Sequence, residues 1–285
     1  MRIDMTTYCG KICIIGRPNV GKSTLFNHAI GEKISIVTHK AQTTRRQIKG
    51  IYTSDRHQII FIDTPGINAN VGRRQNRQLN RQALTALADI DAVVFMLERD
   101  RWQPEDDWIL DRLRTYTGPV VAVINKMDQV SSERLLKMKQ TLEDKFNFSM
   151  ILPISALKSY QTDLLIEHLK LYLPEGSFEF GEDITHDVGD QFFIEEIIRE
   201  KMLLNIHEEI PYLANIQIDE WIENDTRFSI SATIQVDQIG QKKIIIGHQG
   251  QRIKKIGKSA RIDIERHFDR KMHLNLWVKV KKDRV

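Results

Sequence analysis

Gly16-Arg17-Pro18-Asn19-Val20-Gly21-Lys22-Ser23, followed by Thr24, fits the pattern G-x-x-x-x-G-K-[ST] of a phosphate-binding loop. Its flanks fit as well. Ile12-Cys13-Ile14-Ile15 is an apolar run of strand length that ends at Gly16, and Ser23-Thr24-Leu25-Phe26-Asn27 opens a helical pattern. Strand, glycine loop and helix in that order make a cradle for an anion. The glycines let backbone approach phosphate oxygens, and the loop amides and helix N-terminus point at the negative charge. Lys22 reaches the β/γ oxygens and Ser23 ligates Mg²⁺.

Downstream, Gln47–Tyr52 and Gln58–Ile62 read as two strands joined by the turn signal Ser54-Asp55. The second runs into Asp63-Thr64-Pro65-Gly66, 41 residues after Lys22. A carboxylate at a strand's carboxyl end, beside the phosphate loop, suits Mg²⁺ held through water, and the Gly66 amide suits a γ-phosphate. Val93–Leu97 is the next strand, Asp106–Tyr116 a helix, and Val120–Ile124 a strand delivering Asn125-Lys126-Met127-Asp128. In N-K-x-D the carboxylate of Asp128 accepts from guanine N1–H and its N2 amino group, donors adenine does not present there. Polar pairing of this kind discriminates by about 10⁴. Lys126 packs over the base and braces the loop. A helix over 133–145 and a strand over 150–154 follow, then the pair Ser155-Ala156, which matches the short loop whose backbone reads guanine O6, and a helix over 162–173. Strands alternating with helices predict a three-layer α/β sheet, with ligands at the strands' carboxyl ends.

With 285 residues, two ordinary domains fit. No apolar run approaches the roughly 18 residues of a membrane span, and the first ten residues lack the apolar core of a signal peptide. Two cysteines, Cys9 and Cys13, are too few for a disulfide framework, so a reduced, cytoplasmic protein is expected. The net charge of +4 hides strong asymmetry. Residues 1–172 carry 25 Lys/Arg against 18 Asp/Glu, residues 173–239 carry 3 against 16, and residues 240–285 carry 14 against 4. A basic end of this density points to an anionic polymer or surface.

Residues 174–190 are acidic and punctuated by Gly and Pro, which predicts a linker between a domain over 1–173 and another over 191–285. In the second, a helical pattern near 192–201 precedes alternating strands over 215–222 and 227–236. Then comes Ile244-Ile245-Ile246-Gly247-His248-Gln249-Gly250-Gln251-Arg252-Ile253-Lys254-Lys255-Ile256. An apolar run, G-x-x-G and a basic amphipathic helix form the KH pattern, which grips single-stranded RNA. The glycines admit the sugar-phosphate chain. Arg252, Lys254, Lys255, Lys258 and Arg261 supply positive charge, and Ile246, Ile253 and Ile256 are expected to floor the base groove.

The order GRPNVGKS, QTTR, DTPG, NKMD, SA, followed by the KH pattern, resembles the Era family of translation-factor-related GTPases over nearly the whole chain. The resemblance implies a P-loop GTPase domain and a smaller type II KH domain. It makes 34–46 and 63–79 the two switches, with Thr44 (or its neighbour Thr43) on Mg²⁺ beside Ser23 and Asp63. It also implies binding of GTP and GDP, 16S ribosomal RNA bound near its 3′ end, and a role in 30S maturation by a monomer. A second reading is a membrane-associated signalling GTPase whose basic tail docks on anionic lipid, which would add peripheral contact with the inner membrane. Three departures stand out. Ile67 follows the DxxG glycine where Ras-like relatives carry a water-orienting Gln. Leu157-Lys158-Ser159-Tyr160 lacks the glycine often found past S-A. His248-Gln249 replaces the basic residue common between KH glycines. Relatives with Asn at the position of Asn19 resemble enzymes that place K⁺ beside the β/γ-phosphates, so Lys22, Asn19 and Thr44 are the expected catalytic groups.

Overall fold

The computed structural model describes residues 6–36, 48–63, 86–206, 214–223 and 227–281. Two compact units divide the chain, Met1–Asp187 and Val188–Val285.

The first unit is built on a six-stranded sheet of β1 (Tyr8–Gly16), β2 (Ile48–Ser54), β3 (His57–Asp63), β4 (Ala92–Glu98), β5 (Val120–Asn125) and β6 (Met150–Pro153), in the order β2-β3-β1-β4-β5-β6. All neighbours are parallel except β2, which forms an antiparallel hairpin with β3. The continuous apolar runs of β1, β4 and β5 follow from this layout: a parallel strand covered on both faces has no wet side. Helices α2 (Pro104–Leu113) and α3 (Ser132–Lys145) cover one face, packing Ile109, Leu110, Leu113, Met138 and Leu142 on Cys13, Ile15, Phe95 and Ala122. α1 (Lys22–Ile30) and α4 (Thr162–Lys170) pack together elsewhere on the sheet. Gly50 lets α1 come close to β2; a Cβ there would sit 2.6 Å from Ile30 Cγ1. The expected strands and helices are present with ends shifted by a few residues.

The stretch expected as a linker is placed differently up to Asp187. It is bonded to the first unit: Ile51 N–H donates to Thr185 O at 2.8 Å, Asp187 N–H to Lys49 O at 3.1 Å, and Gln58 Nε2 to Phe180 O at 2.9 Å. Its acidic, Gly/Pro-rich composition reflects an irregular strap on the β2–β3 hairpin, where exposed carboxylates remain wet.

The second unit holds α5 (Asp190–Asn205), β7 (Asn215–Glu223), β8 (Arg227–Val236), α6 (Ile239–Ile246), α7 (Gln251–Phe268) and β9 (Lys271–Val280). Its sheet has the order β7-β8-β9, with β7 antiparallel and β9 parallel to β8. Phe228, Ile230, Ala232, Ile234 and Val236 alternate inward along β8 against Ile194, Ile198, Ile245, Ile256, Ala260 and Ile264 of the helices. The run Ile244-Ile245-Ile246 ends helix α6, and only Ile245 of the three is buried.

Candidate functional sites

Gly16, Asp63 and Asn125 each end a strand at the carboxyl edge of the first sheet. Between β1 and α1 the loop bends through left-handed backbone at Asn19 (φ 65°) and Gly21 (φ 106°). Gly21 has no room for a side chain, since a Cβ would lie 2.2 Å from Asn125 Nδ2. Lys22 is buried, and its Nζ donates to Gly16 O at 3.0 Å and Arg17 O at 2.9 Å. Burial lowers its pKa to about 8, with the Arg17 charge in the same direction and Asp63 opposing.

Ser23 Oγ donates to Asp63 Oδ2 at 3.1 Å, so the hydroxyl that opens α1 meets the carboxylate that ends β3. Ser35 Oγ donates to the same oxygen at 2.6 Å. Asn27 on α1 fixes that segment: its Oδ1 accepts from Ile34 N–H (3.0 Å) and Ser35 N–H (2.8 Å), and its Nδ2 donates to Ser35 O (2.8 Å). Two hydroxyls and a carboxylate form an all-oxygen donor set, which fits a hard divalent cation such as Mg²⁺. Thr44, Thr64, Pro65, Gly66 and Ile67 lie outside the described residues.

Asn125 is buried and ties the base end to the phosphate end. Its Nδ2 donates to Val20 O at 2.7 Å and its Oδ1 accepts from Ala156 N–H at 2.9 Å. Ser155 Oγ donates to Asp128 Oδ1 at 2.7 Å, the largest of several contacts that hold the Asp128 carboxyl below its ordinary pKa. Lys126, in left-handed backbone (φ 63°), donates through Nζ to Asn19 O at 2.8 Å and to Glu98 Oε1 at 3.0 Å. Burial raises the Glu98 pKa, but Lys126, Arg99 and Arg17 more than offset it and leave the carboxyl ionised. After Ser155-Ala156, Ser159 supplies the left-handed residue (φ 53°) that a glycine would take at lower cost. Ser155 and Tyr160 then exchange backbone hydrogen bonds at 3.1 and 3.0 Å, closing the loop without the glycine.

Three partners of this site carry no sequence motif. Arg17 Nε meets both Asp106 oxygens, at 2.8 and 2.9 Å, and Nη2 donates to Arg101 O at 3.1 Å. Asp106 has no exposed surface and also caps α2 by accepting from Gln103 N–H at 2.9 Å. Glu98 and Ser35 are the other two. Each is far from its partner in sequence, and an isolated acid or hydroxyl gives no signal.

In the second unit the G-x-x-G turn joins α6 to α7. Gly247 (φ 72°), Gln249 (φ 47°) and Gly250 (φ 75°) all have positive φ. A Cβ on Gly247 would fall 2.7 Å from Arg252 Cβ, whereas Gly250 faces open space. Arg252 Nη1 donates to Ile244 O, so this cation braces the end of α6. Lys254, Lys255, Lys258 and Arg261 are exposed along α7. A cleft of about 420 Å³ runs between α7 and β9, lined by Ile253, Lys254, Gly257, Lys258 and Arg261 on one bank and His273, Leu274, Asn275 and Leu276 on the other. Of the three expected floor residues, Ile253 alone lines it. Ile256 is fully buried in the core, and Ile246 packs against that core. Ile253 and Ile256 are three apart, but helical rotation aims Ile256 at the sheet. The alternation of His273 to Lys281 predicts β9 as the last strand, but nothing in that pattern marks it as a bank of the cleft.

A nucleotide-type loop with a guanine-type polar frame, joined to a sheet-and-helix module with G-x-x-G, defines a P-loop GTPase that carries a KH domain. The GTPase family described as "50S ribosome-binding GTPase" matches residues 11–126, and the KH domain family matches residues 209–284. GTPase Era of Glaesserella parasuis serovar 5 is 45% identical over 280 residues, covering 98% of this chain and 93% of that protein. GTPase Era of Yersinia pestis (strain Pestoides F) is 43% identical over 277 residues, 96% and 91% of the two chains. The chain belongs to the Era GTPase family. Among solved structures, Era in complex with MgGDPNP and nucleotides 1506–1542 of 16S ribosomal RNA superposes with a TM-score of 0.89 at 36% identity, covering 97% of this chain and 95% of that one. An Aquifex aeolicus Era variant bound to GDP and AlF4⁻ gives 0.90 at 36% identity, with the same coverage.

Proposed function

We propose that this protein is a GTP-hydrolysing switch that binds 16S ribosomal RNA near its 3′ end and acts in 16S processing and 30S subunit biogenesis. The observation that carries the reading is Asn125, which joins the phosphate loop at Val20 to the base-reading loop at Ala156. The two loops then address one nucleotide. Asp128 selects guanine, with its carboxylate held by Ser155 of the same loop. The RNA reading rests on the basic cleft behind G-x-x-G and on likeness to an Era whose complex holds 16S RNA.

Phosphoryl transfer to water needs positioning and charge neutralisation rather than covalent help. Gly16 to Thr24 enclose the phosphates, and Lys22 places its ammonium against them. Mg²⁺, held by Ser23, Asp63 and Thr44, supplies further neutralisation of phosphate charge when bound. With Ile67 in place of Gln, the attacking water is oriented by another group, and intrinsic turnover is slow. Asn19, in left-handed backbone at the loop's outer turn, is the residue through which K⁺ would act in place of an arginine finger.

The RNA reading is favoured over lipid docking because the basic residues gather on a cleft with an apolar wall, a shape for bases. In this reading residues 1–173 and 191–285 are the working domains of a cytoplasmic monomer. The test is to crosslink RNA to the purified protein and sequence it. Enrichment of 16S 3′-terminal sequence is expected. Enrichment of transfer or messenger RNA fragments would overturn the ribosomal assignment.

A further inference from the structure

β9 is an edge strand of the second sheet, and its side chains alternate. Met272 and Val278 are buried and Leu274, Leu276 and Val280 pack on the core, while Lys271, His273, Trp277 and Lys279 point to solvent. Trp277 is 60% exposed and has no ring or cation partner among the described residues. It directly follows Leu276, which walls the cleft and comes within 3.5 Å of where a Cβ on Gly257 would lie. Consecutive residues of a strand point to opposite faces, so Leu276 turns to the cleft and the core while Trp277 turns to the open face of the sheet. An exposed indole on the open face of the strand that walls the cleft, with Lys279 two residues on and on the same face, combines a flat apolar surface and a phosphate-seeking charge. Lys279 lies outside every ion pair among the described residues. This is the pairing by which proteins hold single-stranded nucleic acid independently of sequence.

We propose that Trp277 is a stacking platform for the base adjoining those in the cleft, with Lys279 holding the neighbouring phosphate. The ligand class is single-stranded RNA, so the proposal rests on the RNA reading of the second unit. The platform lies on the sheet side of the edge strand, and RNA leaving the cleft would turn over β9 to reach it. Stacking on an aromatic ring is tolerant of base identity, so the subsite adds affinity rather than sequence choice.

The experiment measures binding of fluorescein-labelled single-stranded RNA to the full chain. One oligomer is about four nucleotides, the length a KH groove clamps, and the other is about twice that. Wild type is expected to bind the longer RNA more tightly. Trp277→Ala should remove about tenfold of that gain and leave the short RNA unchanged, while Trp277→Phe should keep most of it. Lys279→Gln should lower the salt slope for the longer RNA by about one. GTP turnover and melting temperature of Trp277→Ala should match wild type, which shows that the variant folds. Equal binding of the longer RNA by wild type and Trp277→Ala overturns the platform. So does an equal loss on both RNAs, which would make Trp277 a support for the cleft. If wild type binds neither RNA, the RNA reading itself falls; that outcome is distinct from a failure of Trp277 alone.

Discussion

Asn125 Nδ2 donates to the carbonyl of Val20 at 2.7 Å, across 105 residues of chain, while its Oδ1 accepts from Ala156 N–H at 2.9 Å. One buried amide thereby fixes the distance between the loop that holds phosphates and the loop that meets the base. Asn125→Ala leaves a buried carbonyl and a buried N–H unpaired, a loss of about 2–4 kcal/mol of stability. Guanine-nucleotide affinity should fall at least about tenfold, read by titration with a fluorescent GDP analogue. Unchanged affinity would mean that the two loops are held together by something else.

Asp128 is held by Ser155 with its carboxylate as a pure acceptor. Asp128→Asn replaces one acceptor oxygen with an N–H donor. Xanthine carries a carbonyl where guanine carries the N2 amino group, so the variant should lose GTP turnover by about 100-fold or more and gain turnover of the xanthine nucleotide. Retained GTP preference would remove Asp128 from the base site.

Arg17 and Asp106 form a bidentate pair in which the carboxylate has no exposed surface. Burial raises the Asp106 pKa and Arg17 opposes the rise. Arg17→Ala strands the acid and should cost about 3 kcal/mol. Combined with Asp106→Asn, which lacks the charge, the loss should be less than additive by more than about 1 kcal/mol in denaturant melts. Additive losses would show that the pair does not anchor the phosphate loop.

Gly250 sits in left-handed backbone with open space around its Cα. Gly250→Asp puts a carboxylate where an RNA phosphate would pass, and should abolish RNA binding while GTP turnover stays within about twofold. Gly250→Asn, neutral and tolerant of the same backbone, should retain much of the affinity. RNA binding that survives the Asp variant would refute the groove assignment.

Potassium should raise GTP turnover over an equal concentration of sodium by about tenfold or more, a fraction of the 10³–10⁵ that an arginine finger supplies. Asn19→Ala should flatten the difference. Equal rates in the two salts would reject the potassium role of Asn19.

The chemistry of this protein was legible where a motif is contiguous. GRPNVGKS, DTPG, NKMD and the G-x-x-G before a basic helix each place several groups on one turn of backbone, so their spacing alone dictates what they can hold. The alternation of apolar runs with helical periods likewise pointed to a three-layer α/β sheet. Only the tertiary structure decided which separated residues complete these sites. Arg17 meets Asp106, Lys126 meets Glu98 and Ser35 meets Asp63 because the strands deliver their ends to one edge, and nothing local marks those partners. The fold also separated Ile253, on the cleft, from Ile256, in the core, since helix rotation against the sheet sets which apolar side chain stays accessible. It placed β9 opposite α7, giving the cleft a second wall that strand alternation could not reveal. Burial and long-range pairing belong to the folded chain as a whole, whereas a phosphate loop is specified by its own eight residues.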